Sequence, residues 1–220
     1  MPTRKNTPPR PAVVLLVRHG KTPTTGTILP GRAPGLHLSD EGQAQAEAVA
    51  ARIAVLDGKG SRAPVAVYAS PLERTVETAR PIAKRLGLRV RTQRGLLECD
   101  FGEWTGAELR ALAKLPEWSQ VQHWPSGFRF PGGESFLEMQ ARITSTIAEL
   151  AGRHPGETII AVSHADPIKA AIAAAAGTHL DQFQRLTVSP CSVSALAYTA
   201  GGPHVLSVNA TSSLTELALS

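Results

Sequence analysis

Short apolar runs alternate along this chain with longer stretches in which apolar residues recur every three or four positions. The short runs are bounded by polar or turn residues and predict buried β-strands. These strands are expected at 12–17, 65–69, 158–163, 192–199 and 204–209. The longer stretches have the period of an α-helix and predict amphipathic helices. These helices are expected over 39–56, 72–86 and 134–151, and from Pro167 onward.

Local signals mark the starts of two helices and an interruption in a third. Ser39 precedes two acidic residues, which is typical of an N-cap followed by an acidic first turn. Asp166 is predicted to cap the helix that follows the 158–163 strand, with Pro167 in its first position. Pro81 lies inside the 72–86 pattern, so we expect it to kink or restart that helix.

The order of these elements predicts an α/β fold. Strands that alternate with helices form a mostly parallel central sheet covered on both faces, which is a three-layer α/β/α arrangement. In such sheets ligands bind beyond the carboxyl ends of the strands. Three polar segments come directly after predicted strands, namely Arg18 with His19, residues 70–74, and His164. We therefore expect these segments to meet at one edge of the sheet.

Length and composition fit a single domain. The chain has 220 residues, of which 42% are hydrophobic, enough to bury one core without a partner chain. We predict a domain over 12–220, preceded by a flexible, basic, Pro-rich segment over 1–11. The formal charge is +5, but Arg4, Lys5 and Arg10 in that segment supply three of these charges. The remaining charge is too small to predict binding to nucleic acid.

The sequence contains no pattern typical of export or membrane insertion. The apolar run at 12–17 ends directly in Arg18 and is too short for a signal peptide. The alanine-rich stretch at 170–177 is far below the ~18 apolar residues that a membrane span requires. We therefore expect a soluble, cytoplasmic protein that does not contact a membrane. Cys99 and Cys191 stand 92 positions apart, which favours reduced thiols, with Cys99 a small buried side chain.

Five segments carry residues suited to phosphate chemistry. The first is Arg18-His19-Gly20, where an apolar strand delivers an imidazole that can attack phosphorus and a guanidinium that can hold the phosphate. A histidine after a strand is more often a hydrogen-bonded structural residue, so this segment alone is weak evidence for a catalytic histidine. The other four contain Arg74, Glu98 and His164 among their residues, and they lie at 70–79, 97–104, 131–135 and 162–166.

In order and character, the five segments resemble those of the histidine phosphatase superfamily, which includes the cofactor-dependent phosphoglycerate mutases and many small-molecule phosphatases. The resemblance covers nearly the whole chain and implies a phosphoglycerate mutase-like fold. It implies that His19 is the nucleophile that forms a phosphohistidine and that Glu98 is the acid and base. It also implies that Arg18, Arg74 and His164 form the phosphate pocket. No metal site or cofactor is predicted.

Alternatives remain for two of these positions. Asp100 and Glu103 are rivals of Glu98 for the acid and base role, and surface carboxylates are the other interpretation of both. Ala165 stands where a glycine most often follows the histidine at the position of His164. The helix that begins there can still direct its dipole at the phosphate.

Five further residues are candidates for binding the substrate. Thr22 is expected to cap the loop or contact phosphate, and Thr25 stands where many relatives have an asparagine. Arg32 is a candidate for contacting the rest of the substrate, although loop structure explains it equally well. His123 and Arg129 lie in an aromatic-rich segment and are the polar side chains to test for substrate choice.

Aromatic residues concentrate between 101 and 136, where seven of the ten in the chain occur. The same segment is otherwise rich in Pro and Gly. It predicts either a lid over 105–135 that covers the site or a separate hydrophobic cluster under a long loop.

These residues favour a metal-independent phosphomonoesterase that acts on small phosphorylated metabolites. A phosphoglycerate-type mutase would use the same positions, but only 65 residues separate Glu98 from His164, and the mutases carry longer insertions there that exclude water. An inactive protein that binds a phosphorylated ligand is a third interpretation, disfavoured because the nucleophile and the acid are both present. The physiological substrate stays open. Dimers occur in the superfamily, so a homodimer is compatible with the resemblance, although no pattern marks an interface.

Overall fold

The computed structural model describes residues 10–56, 63–212 and 214. Most of the flexible segment predicted over 1–11 therefore lies outside the described residues. Within the described ranges, no helix combines the length and the apolar composition needed to cross a membrane.

One sheet of six strands lies at the centre of the described part of the chain. Its strands are β1 (Ala12–Arg18), β2 (Pro64–Ala69), β3 (Val90–Thr92), β4 (Thr158–Ser163), β5 (Val193–Thr199) and β6 (Gly202–Ala210). Their spatial order is β3-β2-β4-β1-β5-β6. The order places β1 and β4 side by side in the middle, which is why both are apolar along their length.

Helices cover both faces of this sheet. They are α1 (Asp40–Ala54), α2 (Glu73–Arg85), α3 (Leu109–Leu112), α4 (Pro116–His123), α5 (Phe136–Arg153) and α6 (Ala165–Ala175). Along β1, Val14 and Leu16 pack with side chains of α5 and α6, whereas Val13, Leu15 and Val17 pack with those of α1 and α2. Because side chains alternate between the two faces of a strand, β1 contributes to a hydrophobic core on each face of the sheet. The predicted three-layer α/β/α fold is confirmed.

The sheet is mostly parallel, as predicted. β1 pairs in parallel with β4, β4 with β2, and β2 with β3, while β5 pairs antiparallel with β1 and β6 antiparallel with β5. The carboxyl ends of β1, β2 and β4 lie level, because Arg18 is opposite Ser163 and Ala69 is opposite Val162. Polar residues that follow these three strands therefore meet at one edge.

The start of α6 differs from the prediction. The N-cap is His164, whose backbone is extended, so Asp166 lies in the first turn and does not cap the helix. Pro167 is the third helical residue and not the first. Its missing N–H costs nothing there, because the first four N–H groups of a helix have no partner within it.

Two other elements differ from the sequence patterns. α2 continues through Pro81 to Arg85, so the helix does not restart there. β3 is a strand of three residues at the edge of the sheet, half-buried or exposed and paired only with β2 within the described residues. A strand of this length with an arginine at its centre produces no apolar run.

The loop after β1 packs against the start of α1 at two glycines. Ser39 caps α1, as predicted, because its hydroxyl accepts a hydrogen bond from Gly42 N at 3.1 Å. A Cβ on Gly42 would lie 2.0 Å from the Lys21 carbonyl oxygen, and a Cβ on Gly20 would lie 2.5 Å from the Gly42 carbonyl oxygen. Any side chain at either position would push the loop away from the helix.

The aromatic-rich segment packs into the core on the side of α5 and α6. Five rings are buried together there, with neighbouring centroids 4.9 to 6.3 Å apart. They belong to Phe101, Trp104, Phe128, Phe130 and Phe136. A hydrophobic cluster therefore accounts for these rings. The lid over 105–135 stays a prediction.

Candidate active site

The residues predicted from the sequence meet where β1, β2 and β4 end. His19 N donates to the Ser163 carbonyl at 3.0 Å, which ties the residue after β1 to the end of β4. Ser70 N donates to the Val162 carbonyl, also at 3.0 Å. His164 follows β4 directly, and its ring meets that of His19 edge to face with centroids 5.2 Å apart.

His19 is a neutral imidazole, and among the described residues only one of its ring nitrogens has a hydrogen-bond partner. Its Nδ1 lies 2.7 Å from the Gly20 carbonyl oxygen, and because a carbonyl only accepts, Nδ1 carries the proton and donates. Burial lowers the pKa of His19 to about 3, and the charges of Arg74 and Arg18 add to this effect. At neutral pH, Nε2 therefore keeps the lone pair that a nucleophile needs.

Two arginines next to His19 carry donors without an acceptor in the part of the chain that the structure describes. Arg18 Nη1 donates to the Val188 carbonyl at 2.7 Å, and Arg74 Nη2 donates to the Gly31 carbonyl at 2.8 Å. Among the described residues, Arg18 Nε and Arg74 Nε and Nη1 are buried without a hydrogen-bond partner. Unpaired guanidinium donors in a buried site are costly, so this arrangement fits a site built for an anion such as phosphate.

His164 connects these groups. Its Nδ1 accepts from Arg74 Nη2 at 3.3 Å, so its Nε2 carries the proton and donates to Ser70 Oγ at 2.9 Å. Burial, followed by the charge of Arg74, lowers the pKa of His164. Arg74 and His164 are fully buried and lie beside the cavity described below, not on its lining.

Glu98 supplies a carboxyl group that titrates near neutral pH. Its Oε1 accepts the backbone N–H of the next residue at 3.0 Å, and its Oε2 lies 4.0 Å from His164 Nδ1. Burial and then the negative charge of Asp166 raise the pKa of Glu98 to about 7, although the nearby arginines oppose the rise. A carboxyl group with this pKa donates and accepts protons at neutral pH. Its rivals Asp100 and Glu103 do not line the cavity.

Two arginines anchor the backbone of Glu98. Arg32 Nε and Arg142 Nη2 donate to the Glu98 carbonyl at 2.8 and 3.3 Å. Glu134 Oε2 joins the two guanidiniums by accepting from Arg32 Nη2 at 2.9 Å and Arg142 Nη2 at 2.8 Å. Arg32 also pairs with Asp100 at 3.2 Å. The described contacts of Arg32 therefore support the loop interpretation and not a contact with the substrate.

The candidate site includes a cavity of about 490 Å³. Its lining includes Arg18, His19 and Glu98. Much of the remaining wall is apolar and contains Ile28, Leu29, Leu109, Trp118, Val121 and Leu186. Leu109, Trp118 and Val121 come from the segment predicted as a lid, so that segment forms part of the wall.

The other substrate-binding candidates divide into two groups. Thr22 and Thr25 line the cavity, and their hydroxyl oxygens lie 3.0 Å apart. His123 lines a separate, smaller surface pocket. Arg129 is exposed and pairs with Glu138. The structure does not bring His123 or Arg129 to the cavity, because an aromatic-rich segment does not indicate which of its polar side chains faces inward.

No catalytic or binding role was assigned from the sequence to several residues at the site, among them Ser70, Arg142, Asp166 and Lys169. Asp166 and Lys169 line the cavity three positions apart on α6. Ser70 is the first residue of one of the five segments, and Asp166 follows His164 by two positions. The sequence could therefore have indicated both as residues of the site. Arg142 lies within the amphipathic pattern of α5, and no local signal singles it out.

The two cysteines do not line the cavity. Cys99 and Cys191 are buried and free, in agreement with the predicted reduced thiols. Burial raises the pKa of both thiols, that of Cys191 to about 12. Within the ranges that the structure describes, no group of three or more His, Cys, Asp or Glu side chains is arranged to hold a metal ion.

Comparison with known proteins identifies a matching family and several similar proteins. The family model of the histidine phosphatase superfamily (branch 1) matches residues 14–211. Phosphoserine phosphatase 1 of Hydrogenobacter thermophilus is 30% identical over 211 residues, which cover 92% of this chain and 94% of that protein. A metal-independent phosphoserine phosphatase of Arabidopsis thaliana is 35% identical over 164 residues, which cover 71% of this chain and 66% of that protein.

Solved structures have the same fold. A mycobacterial glucosyl-3-phosphoglycerate phosphatase superposes with a TM-score of 0.79 at 25% identity, covering 92% of this chain and 100% of that one. A phosphoserine phosphatase mutant from Entamoeba histolytica, in complex with phosphoserine, superposes with a TM-score of 0.80 at 25% identity, covering 92% and 99%. With a family match that spans almost all of the described residues, the chain belongs to the histidine phosphatase superfamily.

Proposed function

We propose that the protein is a metal-independent phosphomonoesterase that hydrolyses small phosphorylated metabolites through a phosphohistidine on His19. One observation carries the proposal: a neutral imidazole stands beside two arginines that have buried donors without a partner among the described residues. The phosphatase names of the relatives support the same reaction, and one of them is named metal-independent.

The first step forms the covalent intermediate. His19 Nε2 attacks the phosphorus, a P–N bond forms, and the bond between phosphorus and the ester oxygen breaks. Protonated Glu98 gives its proton to the departing alkoxide, which leaves as an alcohol. The unpartnered donors of Arg18 and Arg74 hold the phosphoryl oxygens and neutralise their charge.

The second step returns the enzyme to its starting state. A water molecule takes the place of the alcohol, and Glu98, now a carboxylate, accepts its proton as the water oxygen attacks phosphorus. The P–N bond breaks, inorganic phosphate leaves, and Glu98 is protonated again. A pKa of about 7 suits Glu98 to both steps.

Transfer of the phosphoryl group to a second hydroxyl, the reaction of a mutase, is the alternative use of the same residues. The short connection of 65 residues between Glu98 and His164 and the phosphatase names of the relatives favour water as the acceptor. A mutase would convert a phosphorylated diol to its isomer without releasing phosphate.

The test is phosphate release from a panel of metabolite monoesters and an aryl phosphate, in chelator, by the wild type, His19→Ala and His204→Ala. His204 is an exposed histidine of β6 and serves as the matched control. We expect release by the wild type and by His204→Ala and at least about a thousandfold loss in His19→Ala. Equal release by wild type and His19→Ala contradicts a histidine nucleophile, and isomerisation without release indicates a mutase.

A further inference from the structure

Lys169 is a cation on the cavity wall that the proposed reaction does not use. The described lining contains one arginine and one lysine, Arg18 in the phosphate site and Lys169 on α6. The side chain of Lys169 is 16% exposed, and its ammonium lies 6.0 Å from the centre of the Phe183 ring. A charge held this far from water needs partners, and those it has in the protein are incomplete.

The contacts of Lys169 leave donors available. Its Nζ donates to Gln184 Oε1 at 3.2 Å, while Asp166 Oδ1 lies at 3.8 Å, beyond hydrogen-bond distance. An ammonium has three N–H donors, and in the described part of the chain only Gln184 accepts one. Because Gln184 uses its carbonyl oxygen for Lys169, its NH₂ group remains as a second donor on the same wall.

The position of Lys169 suits a short substrate. At about 1.5 Å per residue, its backbone lies roughly 7.5 Å along α6 from His164, and side chains on a helix lean back toward its N-terminus. Because Lys169 and Arg18 line the same cavity, we expect a substrate with a short carbon chain to reach both Lys169 and the phosphate site. The wall of the same cavity contains apolar side chains such as Ile28 and Leu186, which suit a carbon skeleton.

We propose that Lys169 and Gln184 bind a carboxylate on the alcohol part of the substrate, so that the site prefers phosphate esters of short hydroxy acids to those of neutral alcohols. This proposal rests on the phosphatase activity proposed above. A carboxylate fits better than a second phosphate, because Asp166 beside Lys169 repels a dianion more strongly than a monoanion.

The test compares esters that differ only in the carboxylate. The first pair is phosphoglycolate and 2-hydroxyethyl phosphate, and the second is O-phosphoserine and O-phosphoethanolamine. Propane-1,3-diol bisphosphate and 3-hydroxypropyl phosphate form the arm for a second phosphate. The variants are Lys169→Met, which keeps the stem over Phe183, Lys169→Arg, which restores the charge, and Lys84→Met, an exposed control on α2.

The measured quantity is the ratio of kcat/KM within each pair. A charge-assisted contact predicts at least about a tenfold preference of the wild type for the carboxylate ester, a ratio near one in Lys169→Met through a higher KM, and recovery in Lys169→Arg. Lys84→Met should match the wild type. A ratio near one in the wild type, a ratio unchanged in Lys169→Met, or a stronger preference for the bisphosphate would overturn the proposal.

Calorimetric binding to the His19→Ala protein separates this proposal from the phosphatase activity. If the wild type hydrolyses none of the esters, the proposed function fails. Tighter binding of phosphoglycolate than of 2-hydroxyethyl phosphate, lost in His19→Ala/Lys169→Met, would still support the carboxylate site. Equal binding of the two esters would reject it.

Discussion

The surroundings of two residues in the site shift their pKa values in opposite directions. Burial beside cations lowers the pKa of His19 to about 3, whereas burial beside the negative charge of Asp166 raises the pKa of Glu98 to about 7. A neutral nucleophile and a protonated acid therefore coexist at neutral pH. That pair is what the first step of phosphoryl transfer to histidine requires.

Asp166→Asn should make Glu98 a weaker base and a stronger acid. Removal of the negative charge lowers the pKa of Glu98, so the fall in kcat/KM that we expect above about pH 7 should move to lower pH by about one unit. The measurement is the pH profile of kcat/KM with an alkyl phosphate, whose poor leaving group depends on the acid. Asp40→Asn, an exposed carboxylate of α1, is the control and should keep the wild-type profile. If the fall in kcat/KM occurs at the same pH in Asp166→Asn as in the wild type, the charge of Asp166 does not affect the pKa of Glu98.

At the scale of secondary-structure elements, we expect the position of His19, the proposed nucleophile, to depend on how closely α1 approaches the loop after β1. Gly42 in the first turn of α1 lies against the Lys21 carbonyl, and Gly20 lies against Gly42. His19 directly precedes this contact. Through this contact, we expect a displacement of α1 to displace the imidazole of His19 as well.

Gly42→Ala should displace the loop, because a Cβ there would lie 2.0 Å from the Lys21 carbonyl oxygen. We expect a loss of roughly 1–3 kcal/mol in the free energy of unfolding and a fall in kcat of about tenfold or more. Urea unfolding and phosphate release measure the two effects. Gly152→Ala in α5, where the added Cβ meets nothing within 4 Å, is the matched control and should be neutral or slightly stabilising. If both variants behave alike, close packing at Gly42 does not position His19.

At the scale of the whole molecule, the buried histidines link stability to pH. Because the pKa of His19 falls from an ordinary 6.5 to about 3 on folding, its contribution is complete above pH 6.5 and is lost as the pH falls toward 3. The lowered pKa of His164 acts in the same direction. Glu98 acts oppositely: with its pKa raised from 4.5 to about 7, its contribution is present at low pH and is lost as the pH rises toward 7.

His19→Asn should flatten the acid side of the stability profile. The amide keeps a donor for the Gly20 carbonyl and removes the titration. Between pH 7 and pH 4 we expect the wild type to lose roughly 3 kcal/mol more than the variant. Urea unfolding at several pH values measures the difference. Parallel profiles would mean that His19 is not held neutral by the fold.

The sequence predicted the residues whose place follows from local rules. In a parallel sheet the carboxyl ends of neighbouring strands share one edge, so apolar runs followed by His19 and His164 sufficed to bring those side chains together. Arg142 could not be found in this way. It reaches the Glu98 carbonyl only because α5 packs beside the 94–98 loop, a contact between positions 44 residues apart. The cap of α6 was predicted two positions too late, at Asp166, whereas the residue that caps the helix is His164, whose backbone is extended.

The anchoring of Glu98 through its carbonyl bears on what has to move during the proposed reaction. With the backbone held by Arg32 and Arg142, the proposed acid and base would act in both steps from one place. Between the two steps of the proposed reaction, only the alcohol must leave and the phosphoryl acceptor must enter. Hydrolysis and transfer to another hydroxyl are then competing reactions, and the outcome depends on whether water or a hydroxyl first occupies the cavity beside the phosphorylated histidine.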